Sequence, residues 1–319
     1  MAVYTPVTDE DLASFLTGYD IGSLTSFSGI AEGVENSNFL VRTTGGTYIL
    51  TLYEKRVNPD ELPFFINLMT HLARRGLSCP QPVAARDGAM LRELNGRPAA
   101  IVTFLEGVWR RRILPACCHA LGTAMAELHL AGLDFGMRRE NNLSVSAWRP
   151  LLESCDMRSE PIYHGLYNGL KVEVGYLEDN WPADLPTGVI HADLFPDNVF
   201  FLGDDVSGLI DFYFACTDTL VYDLAICLNA WCFETDGSFN VTKAQQLIAG
   251  YLTRRELSVE ERHALPVLAR GSALRFMLTR LYDWLNHPEG ALVKPKDPME
   301  YLQKLRFHQS VIHPSAYGL

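Results

Sequence analysis

Two hydrophobic patterns run along this chain, and the change between them falls near residue 106. Before that point, short apolar runs alternate with turn formers. Leu24-Thr25-Ser26-Phe27, Asn38-Phe39-Leu40-Val41-Arg42-Thr43 and Thr47-Tyr48-Ile49-Leu50-Thr51-Leu52-Tyr53 read as an antiparallel meander, with Gly45-Gly46 turning the second strand into the third. Ala89 to Leu94 and Arg97 to Phe104 form a further pair across Asn95-Gly96, a dipeptide suited to the positive φ angles of a tight hairpin. Two helices interrupt the strands. Residues 7–19 offer Thr8 as N-cap and acids in the first turn. Residues 60–75 carry Leu62, Phe65, Ile66, Met69 and Leu72 at helical spacing, with Pro80 and Pro82 as the stop.

Beyond Glu106-Gly107 the period becomes helical. Segments 115–132, 147–157, 165–179, 221–233, 241–253 and 259–286 have apolar faces, and a short helix over 298–307 leads into a loose end. Leu121, Met125, Leu128 and His129 share one helix face, which makes His129 a core histidine rather than a ligand. One stretch breaks the helical pattern. Val199 to Leu202 and Leu209 to Phe212 flank Gly203-Asp204-Asp205 and read as a β-hairpin. The pattern predicts an α+β protein of two lobes: an N-terminal antiparallel sheet lobe over 1–106, and a mainly helical C-terminal lobe over 107–319.

Polar residues cluster at that hairpin. His191, Asp193 and Asn198 precede its first strand, and Asp211 closes the second. Carboxylates gathered this closely repel one another unless a cation shares them. Mg²⁺ suits the place, because it takes a few carboxylate oxygens together with substrate phosphates. An ordinary acidic loop, with His191 capping a turn, would account for any one of these residues. All four in this order, each beside an apolar strand, point instead to phosphoryl transfer. In that chemistry the first Asp of His-x-Asp-x-x-x-x-Asn takes the proton of the attacking hydroxyl, and the Asn and the later Asp hold metal.

His191-Ala192-Asp193-Leu194-Phe195-Pro196-Asp197-Asn198 resembles the catalytic loop of the aminoglycoside phosphotransferase and choline kinase superfamily, whose members share the protein-kinase-like fold. The resemblance implies ATP as phosphoryl donor, Asp193 as base within a loop that includes His191, and Asn198 and Asp211 as Mg²⁺ ligands. It also implies that Asp223 supports the loop. It places a phosphate cover over Ser28 to Asn38, with Gly29, Gly33, Ser37 and Asn38 facing the nucleotide, although a plain long hairpin would read the same way. It sets Ala99 to Gly107, including Phe104 and Glu106, against the adenine. One position departs. The superfamily's phosphate-pairing lysine is Thr51 here, and Lys55, on the same strand face by alternation, is the expected partial substitute, with Glu61 as the candidate helix acid.

Further phrases narrow the resemblance. Ile210-Asp211-Phe212-Tyr213-Phe214-Ala215-Cys216-Thr217-Asp218 and Ala273-Leu274-Arg275-Phe276-Met277-Leu278-Thr279-Arg280-Leu281-Tyr282-Asp283 look closest to the homoserine kinase branch, on the route to threonine. That branch implies a zwitterionic amino acid, homoserine, as acceptor. Arg275 and Arg280, on one long apolar helix with Arg270, are then candidates for its carboxylate, with ion pairing to neighbouring acids as the competing role. Choline, methylthioribose or an aminoglycoside would call for an aromatic or acidic pocket instead. A non-catalytic scaffold is suggested only by Thr51 and is opposed by the intact His191, Asp193, Asn198 and Asp211.

Composition adds bounds. With 319 residues, 48% of them hydrophobic, the chain can bury a large core. A formal net charge of −11 argues against nucleic acid and anionic membrane surfaces as partners. Seven cysteines without a CxxC pair read as free buried thiols in a reducing compartment. The acidic Asp9-Glu10-Asp11 near the start is unlike a signal peptide, and no apolar run is long enough to span a bilayer, so a cytoplasmic location is expected.

Overall fold

A computed structural model describes residues 5–30, 36–54, 58–287 and 295–319. By backbone contacts the chain divides into two units, Met1–Gly107 with Ser207–Ile210, and Val108–Val206 with Asp211–Leu319.

The first unit begins with α1 (Asp9–Leu16), closed by a reciprocal box in which Thr8 and Asp11 each accept the other's backbone N–H. A five-stranded antiparallel sheet follows, built from β1 (Leu24–Gly29), β2 (Ser37–Thr43), β3 (Gly46–Leu52), β4 (Arg92–Leu94) and β5 (Arg97–Thr103) in the order β1-β2-β3-β5-β4. Strand alternation puts Phe39, Val41, Leu50, Leu52, Ala99 and Ile101 into one core with Leu12 and Leu16 of α1. Asn95 and Gly96 both take positive φ, as the hairpin dipeptide requires. Helix α2 (Leu62–Arg74) buries the face that carries Phe65, Ile66, Met69 and Leu72. It ends before the expected prolines, where Gly76 adopts φ +90° and caps it.

The second unit is helical: α3 (Pro115–Gly132), α4 (Val145–Cys155), α5 (Leu166–Asn180), α6 (Leu220–Trp231), α7 (Val241–Leu252), α8 (Val259–Leu285) and α9 (Pro298–Ser310). α3 and α7 approach closely because each offers a glycine at the crossing. A Cβ on Gly122 would run into the backbone of Leu247 and Tyr251, and one on Gly250 into the backbone of His119. Two short strands escaped the sequence pattern: β6 (Thr187–Ile190) pairs antiparallel with β9 (Cys216–Thr219). The expected hairpin forms from β7 (Val199–Leu202) and β8 (Asp205–Leu209). Its second strand begins earlier than the apolar run suggested, so Asp211 lies past its end and Phe212–Phe214 form a 3-10 turn. The C-terminal end is not loose. Residues Pro314–Tyr317 form a 3-10 turn with Tyr317 buried. All seven cysteines are buried free thiols, and no helix among the described residues is long and apolar enough to cross a membrane.

Candidate active site

The β6–β9 ladder ends at the pair Ile190–Cys216 and delivers the loop His191–Asn198 on one side. Several backbone groups of that loop are held by partners from elsewhere in the chain. The buried Asp223 of α6 accepts the N–H of His191 through Oδ2 and the N–H of Ala192 through Oδ1, both at 2.7 Å. Ala192 sits at φ +62°, a left-handed conformation that costs an alanine about 1 kcal/mol or more and persists only when its surroundings fix it. Its carbonyl accepts from Arg275 Nη1 at 2.8 Å, so the strained peptide is held from both sides. Trp231 Nε1 donates to the Leu194 carbonyl at 2.7 Å, and Asn198 Nδ2 to the Asp193 carbonyl at 2.8 Å.

Behind the loop, His129 is a satisfied core histidine, as expected. Its Nδ1 meets the Tyr251 hydroxyl at 2.8 Å and its Nε2 meets Asp223 Oδ2 at 3.2 Å. Burial alone would raise the Asp223 pKa, but the bonds and charge from His129 and the His191 N–H hold it below the ordinary carboxylate value. Asp223 thus stays anionic in the interior and serves as a fixed double acceptor for the loop.

Asp193, at the crest of the loop, is half-buried. Desolvation first, and the neighbouring Asp211 charge second, push its pKa well above the usual range, while Arg275 and Lys296 pull the other way. A raised carboxyl pKa beside an acceptor hydroxyl is what a general base needs. Asn198 donates its amide nitrogen to Asp193 Oδ2 at 3.1 Å as well, which leaves Asn198 Oδ1 pointing elsewhere. Asp211 is exposed and adopts φ +64°. His191 is buried with its ring 4.7 Å from that of Phe212, so it fixes the loop against the Asp211 turn rather than facing an acceptor. No three His, Cys, Asp or Glu side chains among the described residues gather to hold a metal unaided. Asp211 and Asn198 Oδ1 are hard oxygen donors, a set that fits a hard divalent cation completed by ligand oxygens.

The expected arginines are otherwise engaged. Arg275 is buried, bonded to Ala192, with its guanidinium 4.5 Å from the Phe276 ring and 5.9 Å from that of Phe214. Arg280 pairs with Glu300 at 2.7 Å, donates to the Asp297 carbonyl at 3.2 Å and lies over Tyr301. Arg270 forms a two-pronged pair with Glu173. The competing role of ion pairing to neighbouring acids is seen at Arg270 and Arg280, whereas Arg275 is held by the Ala192 backbone carbonyl.

In the first unit, Gly33 and Lys55 lie outside the described residues. Gly29 ends β1. Ser37 is fully buried and donates to Glu54 Oε1 at 2.6 Å, so its hydroxyl is a scaffold group rather than a free phosphate donor. Glu54 is also paired with Arg97 at 3.1 Å. Asn38 stands opposite Thr51 in the β2–β3 register, and the Thr51 hydroxyl donates to Asn38 Oδ1 at 2.8 Å. The position where a lysine was expected is thus taken by a part-buried hydrogen bond across two strands. Phe104 is exposed, and the Glu106 carbonyl accepts from Ser207 Oγ at 2.7 Å. Trp231 and Lys296 were not singled out by sequence pattern, because neither carries a spacing signal of its own.

A family model described as phosphotransferase enzyme family matches residues 26–257. A homoserine kinase of Xanthobacter autotrophicus is 66% identical over 319 residues, covering 100% of this chain and 99% of that protein. A homoserine kinase of Sinorhizobium fredii is 61% identical, covering 100% and 98%. Among solved structures, an amicoumacin kinase in complex with AMP-PNP and Ca²⁺ aligns with TM-score 0.70 at 14% identity over 97% of this chain and 96% of its own. A choline kinase from Cryptosporidium parvum gives TM-score 0.68 at 15% identity, covering 95% and 94%. The two-lobed protein-kinase-like architecture, the catalytic loop and the full-length likeness agree, and the chain belongs to the phosphotransferase enzyme family.

Proposed function

We propose that this protein is a homoserine kinase. It transfers the γ-phosphoryl group of ATP to the side-chain hydroxyl of L-homoserine, giving the phosphate ester and ADP. The observation that carries the reading is identity of 60% or more, end to end, with relatives named homoserine kinase, together with an intact Asp193, Asn198 and Asp211. Asp193 orients the acceptor hydroxyl and takes its proton as the oxygen bonds to phosphorus and the bond to ADP breaks. Asn198 Oδ1 and Asp211 would hold Mg²⁺, which supplies charge neutralisation on the phosphates when bound. Asp223, Arg275 and Trp231 keep the loop in place. Residues 1–106 serve as the nucleotide lobe, with the glycine-bearing segment through Asn38 over the phosphates, Lys55 partly replacing the lysine absent at Thr51, and the Phe104–Glu106 strand end at the adenine. Residues 107–319 carry catalysis and acceptor binding, and the protein works in the cytoplasm on small molecules.

The test is ATP consumption by the purified protein across homoserine, other hydroxyl amino acids, choline, methylthioribose and aminoglycosides, with Asp193→Asn alongside. Homoserine should be the preferred acceptor. Asp193→Asn should keep its fold and ATP affinity while turnover falls by roughly 10²–10⁴. Preference for another acceptor, or near-normal turnover in the variant, would overturn the assignment.

A further inference from the structure

An amino acid acceptor needs a cation for its carboxylate, and the four arginines of α8, Arg262, Arg270, Arg275 and Arg280, are bonded to protein groups. Lys296 is different. It is exposed, and among the described residues no acid lies within ion-pair distance of its ammonium. Arg270, Arg280 and Lys304, by contrast, each have a carboxylate partner. The Lys296 ammonium stands 5.2 Å from the centre of the Phe195 ring. Phe195 belongs to the catalytic loop, two residues after Asp193, and its N–H bonds to the Asp193 carbonyl at 2.8 Å. The positive charge of Lys296 is also felt at the Asp193 carboxyl. The aromatic face gives the ammonium a resting place that is not the base itself, so the cation stays available to a ligand.

Its position is fixed from the backbone side. Pro295 and Pro298 bracket Lys296-Asp297 and restrict the local chain. The Asp297 side chain accepts from Met299 N at 2.8 Å as N-cap of α9. Arg280, itself locked by Glu300 and Tyr301, donates to the Asp297 carbonyl. Arg280 thereby acts as a positioning residue for the segment that carries Lys296.

We propose that Lys296 is the contact for the acceptor's carboxylate and the residue that makes a hydroxylated amino acid, rather than an amino alcohol, the preferred substrate. The inference rests on the homoserine reading. A lysine on a flexible stem acts as a point charge that can meet a carboxylate a few bonds away from a hydroxyl seated at Asp193. An acceptor without a carboxylate gains nothing from it.

The test compares wild type, Lys296→Met and Lys296→Arg with homoserine and with 3-aminopropan-1-ol, which is homoserine without its carboxylate, each at varied ATP. Lys296→Met should raise the homoserine KM roughly 10- to 100-fold. The preference for homoserine over the amino alcohol should shrink by a similar factor, the ATP KM should move less than about twofold, and Lys296→Arg should recover most of the loss. A homoserine KM within about threefold of wild type overturns the proposal. So does a rise confined to the ATP KM, which would make Lys296 a phosphate contact, or an equal loss with both acceptors, which would make it a positioning residue for Asp193. If wild type does not phosphorylate homoserine, the functional reading and this inference fall together. If wild type does and Lys296→Met does so equally well, only this inference falls.

Discussion

At the scale of single residues, Arg275 shows how a site can hide inside a core. Its side chain is buried, carries a full charge and answers to a backbone carbonyl 83 residues earlier in the chain. That carbonyl belongs to Ala192, whose left-handed backbone has no stabilisation of its own. Removing the guanidinium leaves the Ala192 carbonyl without this donor and frees a strained peptide next to Asp193. Arg275→Lys should therefore destabilise the protein by roughly 2–3 kcal/mol, since a lysine keeps the charge without the planar reach. Turnover should fall about tenfold or more while the homoserine KM changes much less. Thermal denaturation and steady-state kinetics check both halves, and a selective rise in the homoserine KM with unchanged stability would restore Arg275 to the acceptor site. The types and spacing of His191, Asp193, Asn198 and Asp211 were legible in the sequence, because phosphoryl transfer demands those groups in that order. The partner of Arg275 was not, because a bond to a distant carbonyl leaves no trace in side-chain identity.

Elements were legible where a period could be counted. The long amphipathic helices and the Asn95-Gly96 hairpin fall where the pattern put them. β6 and β9 did not, because each is four residues long and Cys216-Thr217-Asp218-Thr219 has no alternation to read. Their pairing nevertheless sets the origin of the loop His191–Asn198. Glycines mislead in the same way, since a glycine inside a helix looks like a defect until its neighbour is known. Gly250 of α7 faces the His119 backbone, whereas Gly169 of α5 is exposed and has nothing within 4 Å of an added Cβ. The two should respond with opposite signs. Gly250→Val should cost at least ~2 kcal/mol, because backbone on α3 cannot step aside as a side chain can. Gly169→Ala should gain roughly 0.5–1 kcal/mol by removing backbone freedom from the unfolded chain. Denaturant titration of both variants measures this, and a neutral Gly250→Val would mean that α3 and α7 can separate without loss.

Across the whole molecule, a chain of net charge −11 locks several of its less exposed cations into ion pairs, Arg255 with Glu261, Arg270 with Glu173 and Lys304 with Glu300. The C-terminal end belongs to the same economy of buried polar groups. His308 of α9 is buried against Phe233, Phe239 and Phe307. Its Nε2 meets Asn229 Oδ1 at 3.0 Å, and its Nδ1 meets the Tyr317 hydroxyl at 2.7 Å. Asn229 donates its own nitrogen to the carbonyls of Ala225 and Ala269, so its oxygen must accept. His308 therefore donates from Nε2 and, in the neutral ring, accepts at Nδ1 from the Tyr317 hydroxyl, a bond that protonation of Nδ1 would remove. Burial, with Lys304 adding to it, pushes the His308 pKa from 6.5 down to about 3. The sign follows directly. Between those two values the unfolded chain binds a proton that the folded chain refuses, so stability falls as pH drops below about 6.5, by up to ~1.4 kcal/mol per pH unit. Asp193 and Asp218, whose pKa values are raised mainly by desolvation, act in the opposite direction and are common to wild type and variant. The difference between the two proteins thus reads His308 alone. His308→Gln should be less stable at pH 7.5, where it loses the ring's packing and one of its bonds, yet its stability should decline less steeply than that of wild type between pH 6.5 and 4.5. Urea titrations at five or six pH values give the two slopes. Parallel slopes would mean that the ring takes up its proton in the folded state, and that the C-terminal turn with Tyr317 opens before the rest of the unit does.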